Sequence, residues 1–289
     1  MSDMSHYTQG ALSSKDGTNI CFRTAGSGPA LILLHGGMSN SAFHRELALD
    51  LAAGFTVVVP DRRDRSGTAP CADYSIDRDV EDVAALAGHF GAQRLWGLSA
   101  GAVIALEAAR RLPAIVRLAV YEPPIFSDIV ELERAGARLN AELDSGNQPA
   151  AMVTAMLAAQ MGPSFLRLLP RKWLERMSEG LLRDPGTGPD GYPPTGTLIP
   201  PLRHDLALAA HVTRNVGSFA DISAEVLLMG GARSPLYLRQ ALDRLATILP
   251  RAQRIELPGL GHDASWNTDR GGKPHAVAEA MRPFFLAPL

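Results

Sequence analysis

Ser99 is the residue whose surroundings most clearly suggest chemistry. It lies in the segment GLSAG (97–101), which matches the pattern Gly-x-Ser-x-Gly and stands between a predicted strand and a predicted helix. A serine on such a tight turn projects its hydroxyl clear of the sheet, and only small residues fit two positions before and after it. The sequence therefore predicts that Ser99 is a nucleophile. The structural alternative is a helix-start turn that Ser99 merely caps.

Acyl transfer also requires two N–H donors for the negative oxygen that forms in the transition state. The segment LHGGM (34–38) follows a predicted buried strand, and its glycines allow a sharp turn there. We expect the N–H groups of Gly37 and Ala100, the residue after the serine, to form this oxyanion hole. A glycine turn that only closes the strand is the alternative, and we expect a structural role for His35.

A general base is predicted at His262, in the glycine-rich segment PGLGH (258–262) after the last predicted strand. A histidine in a loop at the carboxyl end of a parallel sheet is well placed for this role, and its ordinary pKa near 6.5 suits neutral pH. The histidines show no metal-ligand spacing such as His-Glu-x-x-His, so we expect no metal and no cofactor.

The elements that must position these residues alternate along the chain. Apolar runs predict strands at 18–23, 31–34, 56–59, 94–97, 116–121, 226–229 and 254–257. Helical patterns lie at 41–51, 76–90, 100–112, 235–249 and about 274–285. This alternation predicts an α/β fold with a mostly parallel sheet and helices on both faces.

The alternation is interrupted between the predicted fifth and sixth of these strands. Residues 127–182 show successive helical patterns that include several methionines, and a Pro/Gly-rich surface or lid segment follows at 184–201. The methionines suit either a lid core or an adaptable apolar pocket wall. We therefore predict a core formed by residues 1–122 and 216–289, with a helical cap at 123–215.

Five segments in this order resemble the α/β-hydrolase fold over nearly the full length of the chain. They are LILLHGG (31–37), PDRRDRSG (60–67), GLSAG (97–101), YEPP (121–124) and PGLGH (258–262). Within that superfamily the chain is similar to compact bacterial serine hydrolases with a helical cap. The resemblance implies a mostly parallel eight-stranded sheet, Ser99 as nucleophile, His262 as base and an oxyanion hole at Gly37 and Ala100. Asp64 stands where the similar hydrolases usually have glycine, so we expect a different turn there.

The acidic member of the catalytic triad is where the sequence departs from the family. The family places a carboxylate after the seventh of its eight strands, which corresponds to the predicted strand at 226–229. This chain has Ser234 there, and a serine cannot stabilise imidazolium as a carboxylate does. We hypothesise that Glu122, at the end of the predicted strand at 116–121 (the family's sixth), takes this role. Asp205 or Asp263 could substitute, the acid could be absent, or Glu122 could simply pair with an arginine.

A dense run of charge, Asp-Arg-Arg-Asp-Arg at 61–65, follows the predicted strand at 56–59. One interpretation is an exposed, ion-paired turn, which would contribute little to stability. The other is a clamp for a substrate carboxylate, because arginine binds carboxylates through two parallel hydrogen bonds.

Composition excludes several classes of protein. The 289 residues include 28 Lys and Arg against 30 Asp and Glu, so the charge gives no basis for binding nucleic acid. No apolar run approaches the roughly 20 residues of a membrane span, and residues 1–10 lack a signal-peptide core. Two cysteines, Cys21 and Cys71, cannot form a disulfide framework or a cysteine zinc site. We expect a cytoplasmic protein that has a small-molecule partner and no membrane partner, and the sequence leaves a homodimer open.

These observations predict hydrolysis of a small ester, thioester, lactone or related carbonyl compound through an acyl-enzyme on Ser99. A carbon–carbon bond hydrolase, or a lyase or cyclase that uses His262 as base, would contain the same residues. A ligand-binding protein that keeps the fold without turnover is the alternative from another class.

Overall fold

The computed structural model describes residues 7–66, 68, 73–186, 191–249 and 251–288. Its strands form one sheet in the order β1-β2-β4-β3-β5-β6-β7-β8. Their bounds are β1 Thr8–Ser13, β2 Asn19–Ala25, β3 Ala30–Leu34, β4 Thr56–Pro60, β5 Arg94–Leu98, β6 Arg117–Tyr121, β7 Glu225–Gly231 and β8 Ala252–Leu257. The strands β3 to β8 pair in parallel, whereas β2 pairs antiparallel with both β1 and β4. The predicted mostly parallel eight-stranded sheet is confirmed.

Helices follow most of the parallel strands. Their bounds are α1 Arg45–Leu51, α2 Ile76–Phe90, α3 Ala100–Arg111, α4 Ile129–Asp144, α5 Gln148–Ala158, α6 Arg171–Leu182, α7 Leu202–Asn215, α8 Leu236–Ile248 and α9 Pro274–Leu286. The predicted helix at 41–51 is divided into a 3₁₀ turn, Ser41–His44, and α1. The side chain of Asn40 accepts the N–H of Ala42 and so caps that turn.

The sheet is covered on both faces. Side chains of α2, α3 and α8 pack on one face, and side chains of α1 and α9 pack on the other. Every residue of β3, β5 and β6 is buried, which explains their continuous apolar sequences. Because these strands are parallel, their carboxyl ends meet at one edge of the sheet, where Ser99 and Glu122 follow β5 and β6.

Helices α4 to α7 lie between β6 and β7, in the range predicted to form a cap. They share a small apolar cluster that includes Leu139 of α4, Ala151 of α5 and Leu202 of α7. Helix α7 also buries Leu208 and Val212 in the larger cluster that contains α3. The Pro/Gly-rich segment contains a 3₁₀ turn, Thr195–Leu198, and residues 187–190 of it lie outside the described residues. The division of the chain into core and cap remains a prediction. In the described part of the chain, no helix is long and apolar enough to cross a bilayer.

Candidate active site

Ser99 lies on a strained turn between β5 and α3. Its backbone has φ +54° and ψ −120°, a conformation that residues other than glycine rarely adopt. A Cβ atom on Gly97 would come within 2.4 Å of the carbonyl oxygen of Gly101, and one on Gly101 within 2.4 Å of the carbonyl oxygen of Leu34. The two glycines are therefore required by close approaches of the backbone. The N–H of Ser99 donates to the carbonyl of Tyr121 at 2.9 Å, which ties the turn to β6.

The loop after β3 passes directly beside this turn. A Cβ atom on Gly36 would lie 3.1 Å from the Cβ atom of Ser99, so the backbone there can approach the serine closely. Gly37 and Ala100 line the same cavity as Ser99. Ala100 is the first residue of α3, so its N–H is one of those that the helix itself leaves unpaired. The arrangement is suitable for stabilising a negative oxygen at Ser99.

His262 and Glu122 are brought into direct contact. The Nδ1 atom of His262 lies 2.7 Å from Oε2 of Glu122, and the Glu122 side chain is fully buried. The other carboxylate oxygen, Oε1, accepts the N–H of Gly231 at 2.6 Å. When Nδ1–H donates to the carboxylate, Nε2 is left as the acceptor for a proton. The pair can therefore act as an oriented base.

Two contacts hold the loop that carries His262. The hydroxyl of Tyr121 donates to the carbonyl of Gly261 at 2.8 Å, and burial raises the pKa of this phenol, which keeps it protonated. A Cβ atom on Gly231 would come within 2.3 Å of the carbonyl oxygen of Leu260, so the loop packs tightly on the end of β7. His262 is thus positioned by contacts of its loop with the ends of β6 and β7, and Glu122 directly follows β6.

The other acidic candidates have different surroundings. Asp205 on α7 binds Arg62 at 3.1 Å and Arg65 at 2.8 Å, and all three side chains are buried. Asp263 is exposed, beside His262 in sequence. Among the acidic residues that the structure describes, Glu122 is the one that contacts His262.

The charged run at 61–65 is ion-paired as predicted, but the expectation of an exposed turn is wrong. Arg62 and Arg65 are occupied by Asp205, so they are not free to clamp a substrate carboxylate. Arg63 is buried between Asp16 and Asp82. These carboxylates lie far from residues 61–65 in sequence, and the local pattern gives no sign of them.

Asp64, within this run, and His35, beside it in the structure, both have structural roles. Asp64 has φ +60°, so it keeps the left-handed conformation that glycine would provide, and aspartate tolerates this conformation better than most residues. Its carboxylate lies 2.7 Å from Nδ1 of His204. His35 is buried, and its Nε2 accepts the N–H of Arg62. Burial, together with the charges of Arg62 and Arg65, holds the pKa of His35 well below its usual value, which fits a structural role.

The cavity beside Ser99 has a volume of about 410 Å³ and a mostly apolar wall. The methionines of α5 and the following turn contribute to this wall: Met152, Met156 and Met161. The sequence analysis missed Phe43, Trp266 and Arg270, which also line it. Their segments carry no motif, although Arg270 precedes a glycine pair typical of a turn. Among the described residues, no group of three or more His, Cys, Asp or Glu side chains is arranged to hold a metal ion.

Comparison with known proteins places this chain in a family. Residues 31–280 match the alpha/beta hydrolase family. The chain belongs to this family. The resemblance found in the sequence is confirmed, and the protein is a hydrolase.

Known members of the family resemble this hydrolase over most of their length. It is 30% identical to an alpha/beta hydrolase from Sphaerobacter thermophilus, with a TM-score of 0.76 over 96% of this chain and 100% of the other. It is 28% identical over 249 residues to the 2-(acetamidomethylene)succinate hydrolase of Mesorhizobium japonicum, which covers 83% of this chain and 84% of the relative. A thermophilic esterase from Thermogutta terrifontis is similar in fold, with a TM-score of 0.70 at 19% identity over 96% of this chain and 98% of that structure.

Proposed function

We propose that this hydrolase cleaves a small carbonyl substrate through a covalent acyl-enzyme on Ser99. The observation that carries the proposal is the 2.7 Å contact between Glu122 and His262, in a site whose cavity contains the strained serine turn. A buried carboxylate on Nδ1 stabilises the imidazolium that forms when Nε2 accepts a proton. His262 would therefore remove the proton of Ser99 as the serine attacks the carbonyl carbon.

The remaining steps follow from the same groups. The N–H groups of Gly37 and Ala100 would hold the oxygen that becomes negative in the tetrahedral intermediate. His262 would return its proton to the leaving group, which departs and leaves the acyl group on Ser99. Water would then attack this acyl group with His262 again as the base, which releases the acid and restores the serine.

The substrate class proposed is a small ester, thioester, lactone or related carbonyl compound. The cavity of about 410 Å³ sets the size, and its mostly apolar wall suits hydrocarbon parts of the substrate. The Mesorhizobium relative is named as the hydrolase of an acetamido compound, which supports a carbonyl substrate. The methionines in the wall allow it to adapt to the shape of the acyl or alcohol portion.

The test is intact-mass measurement after incubation with a fluorophosphonate. We expect one adduct on the wild type, none on Ser99→Ala, and labelling slowed by about 10²- to 10⁴-fold in Glu122→Gln, because an amide cannot stabilise imidazolium as a carboxylate does. Glu256→Gln is the matched control, since Glu256 is exposed on β8, and it should label at the wild-type rate.

Two outcomes would contradict the proposal in different ways. Full-speed labelling of Glu122→Gln would remove Glu122 from the mechanism. An unlabelled wild type that also fails to hydrolyse 4-nitrophenyl esters would exclude the acyl-enzyme on Ser99.

A further inference from the structure

Arg270 is a cation in the wall of the active-site cavity, and the described residues give it no acidic partner. Besides Tyr237, the charged or titratable side chains of the wall are Asp184, Asp205, His262 and Arg270. Asp205 is bound to two arginines and His262 to Glu122. Within the described ranges, no Asp or Glu lies within ion-pair distance of Arg270. A cation in a mostly apolar wall, with no carboxylate beside it among the described residues, is suited to an anion brought by a ligand.

The orientation of Arg270 is set by aromatic rings. Its guanidinium carbon lies 4.1 Å from the ring centre of Tyr192 and 5.4 Å from that of Phe43. The guanidinium also hydrogen-bonds the Tyr192 hydroxyl, and since it carries five N–H donors, others remain for a ligand. These groups form the planar fork that matches the two oxygens of a carboxylate.

The turn that carries Arg270 is firmly anchored. The Asn267 side chain donates to the carbonyl of Ala42 at 2.8 Å and to the Tyr192 hydroxyl at 2.6 Å, and its backbone N–H donates to the carbonyl of Phe43 at 2.8 Å. The backbone N–H of Arg270 donates in turn to the carbonyl of Asn267. The same residue therefore holds Arg270 and both aromatic rings, and such preorganisation lowers the entropy lost when a ligand binds.

We propose that Arg270 binds a carboxylate of the substrate, so that this hydrolase prefers carbonyl substrates that also carry a carboxylate. The substrate would place its reacting carbonyl at Ser99 and its carboxylate on the fork of Arg270. This proposal rests on the proposed function for the position of the reacting carbonyl. The carboxylate clamp considered for residues 61–65 is not available, because Asp205 occupies Arg62 and Arg65.

The test compares two esters that differ in one charge, mono(4-nitrophenyl) glutarate and its neutral methyl ester. In Arg270→Gln we expect kcat/KM for the anionic ester to fall about 10- to 100-fold, mainly through KM, because a charge-assisted hydrogen bond is lost. The kcat/KM of the neutral ester should fall much less, so that the preference for the anionic ester is lost. Arg270→Lys should recover part of the preference, since it keeps the charge without the fork.

A matched control removes the same charge elsewhere. Arg244 is exposed on α8, and Arg244→Gln should leave both esters unchanged. If Arg270→Gln lowers the kcat/KM of both esters equally, or of neither, Arg270 does not bind the carboxylate, while hydrolysis of the neutral ester would leave the proposed function intact.

A binding measurement separates this proposal from the proposed function. Calorimetric titration with glutarate needs no turnover, and we expect Arg270→Gln to weaken binding at least tenfold relative to both the wild type and Arg244→Gln. If no variant hydrolyses either ester, the proposed function fails and glutarate binding still decides the role of Arg270. Equal glutarate affinity in the wild type and Arg270→Gln would overturn the proposal.

Discussion

Asp205 shows how much can depend on the charge of a single residue. Its carboxylate forms ion pairs with both Arg62 and Arg65, whose side chains are 5% and 1% exposed. Although burial opposes the charge on Arg62, Asp205 raises the pKa of this guanidinium above its usual value. We expect Asp205→Asn to lower the free energy of unfolding by about 3–5 kcal/mol, because it leaves buried charge uncompensated.

Urea unfolding monitored by circular dichroism measures this loss. Asp144→Asn is the matched control, because Asp144 ends α4 and pairs with Arg203 at the surface, with side chains 68% and 37% exposed. The control should lose less than about 1 kcal/mol. If both variants lost the same free energy of unfolding, the buried Asp205 ion pairs would contribute no more to stability than the exposed pair of Asp144.

Single residues differ in how far the sequence could place them. The sequence could predict Glu122 because Ser234 occupies the usual acid position. Since β6 neighbours β7, a carboxylate that ends β6 also lies close to the loops after β7 and β8. The pairing of Arg62 with Asp205 spans 143 residues and follows no pattern along the chain. Arg270 was missed for the same reason, since its aromatic partners come from a turn before α1 and from the Pro/Gly-rich segment.

The element with the strictest steric requirement is the turn from β5 into α3. We expect Gly101→Ala to destabilise the protein by about 1–3 kcal/mol and to lower kcat, because the new methyl group would meet the carbonyl of Leu34 at 2.4 Å and displace the serine turn. Thermal unfolding and hydrolysis of a neutral 4-nitrophenyl ester measure the two effects.

A second helical glycine provides the control for this substitution. Gly136 lies within α4, and a Cβ atom there would have no neighbour within 4 Å. Gly136→Ala should therefore stabilise the protein by about 0.5–1 kcal/mol through helix propensity alone. If Gly101→Ala behaved like Gly136→Ala, the close packing at Gly101 would be disproved.

Elements were predictable where one physical signal dominates. Strands β3, β5 and β6 are buried on both faces, so burial alone produces their apolar runs. Strand β1 was missed because it is an antiparallel edge strand with mostly exposed or half-exposed residues, TQGALS, and such a sequence resembles a polar loop. The turn at Asp64 keeps its left-handed backbone although glycine is absent, which the expectation of a different turn did not anticipate.

On the scale of the whole molecule, the site depends on contacts between distant segments. The sheet brings Ser99 and Glu122 to one edge, whereas α7 reaches that edge from the predicted cap and contributes Asp205 beside Gly37. A change in the packing of α7 would therefore alter both the stability of the protein and the position of Gly37 in the proposed oxyanion hole. The sequence predicted the sheet but could not predict this link, because it depends on the folded position of α7.

Stability against acid is a property of the whole chain to which buried histidines contribute. His44 is fully buried, its Nδ1–H donates to the carbonyl of Ser265 at 3.1 Å, and burial lowers its pKa to about 4. In the unfolded chain the same histidine protonates near its usual pKa of about 6.5. Lowering the pH from 6.5 to 4 therefore stabilises the unfolded state relative to the folded one, and the contribution of His44 to stability is lost in this range.

We expect the wild type to lose about 2–3 kcal/mol more than His44→Asn in the free energy of unfolding between pH 7.5 and pH 4.5. Urea unfolding at several pH values measures this difference. Asp79 acts in the opposite direction, since burial raises its pKa to about 6, but it is common to both proteins and cancels in the comparison. His275 is exposed, with a side chain 76% accessible, so His275→Asn should follow the wild-type pH dependence. Parallel stability curves for the wild type and His44→Asn would mean that His44 does not stay neutral in the folded protein.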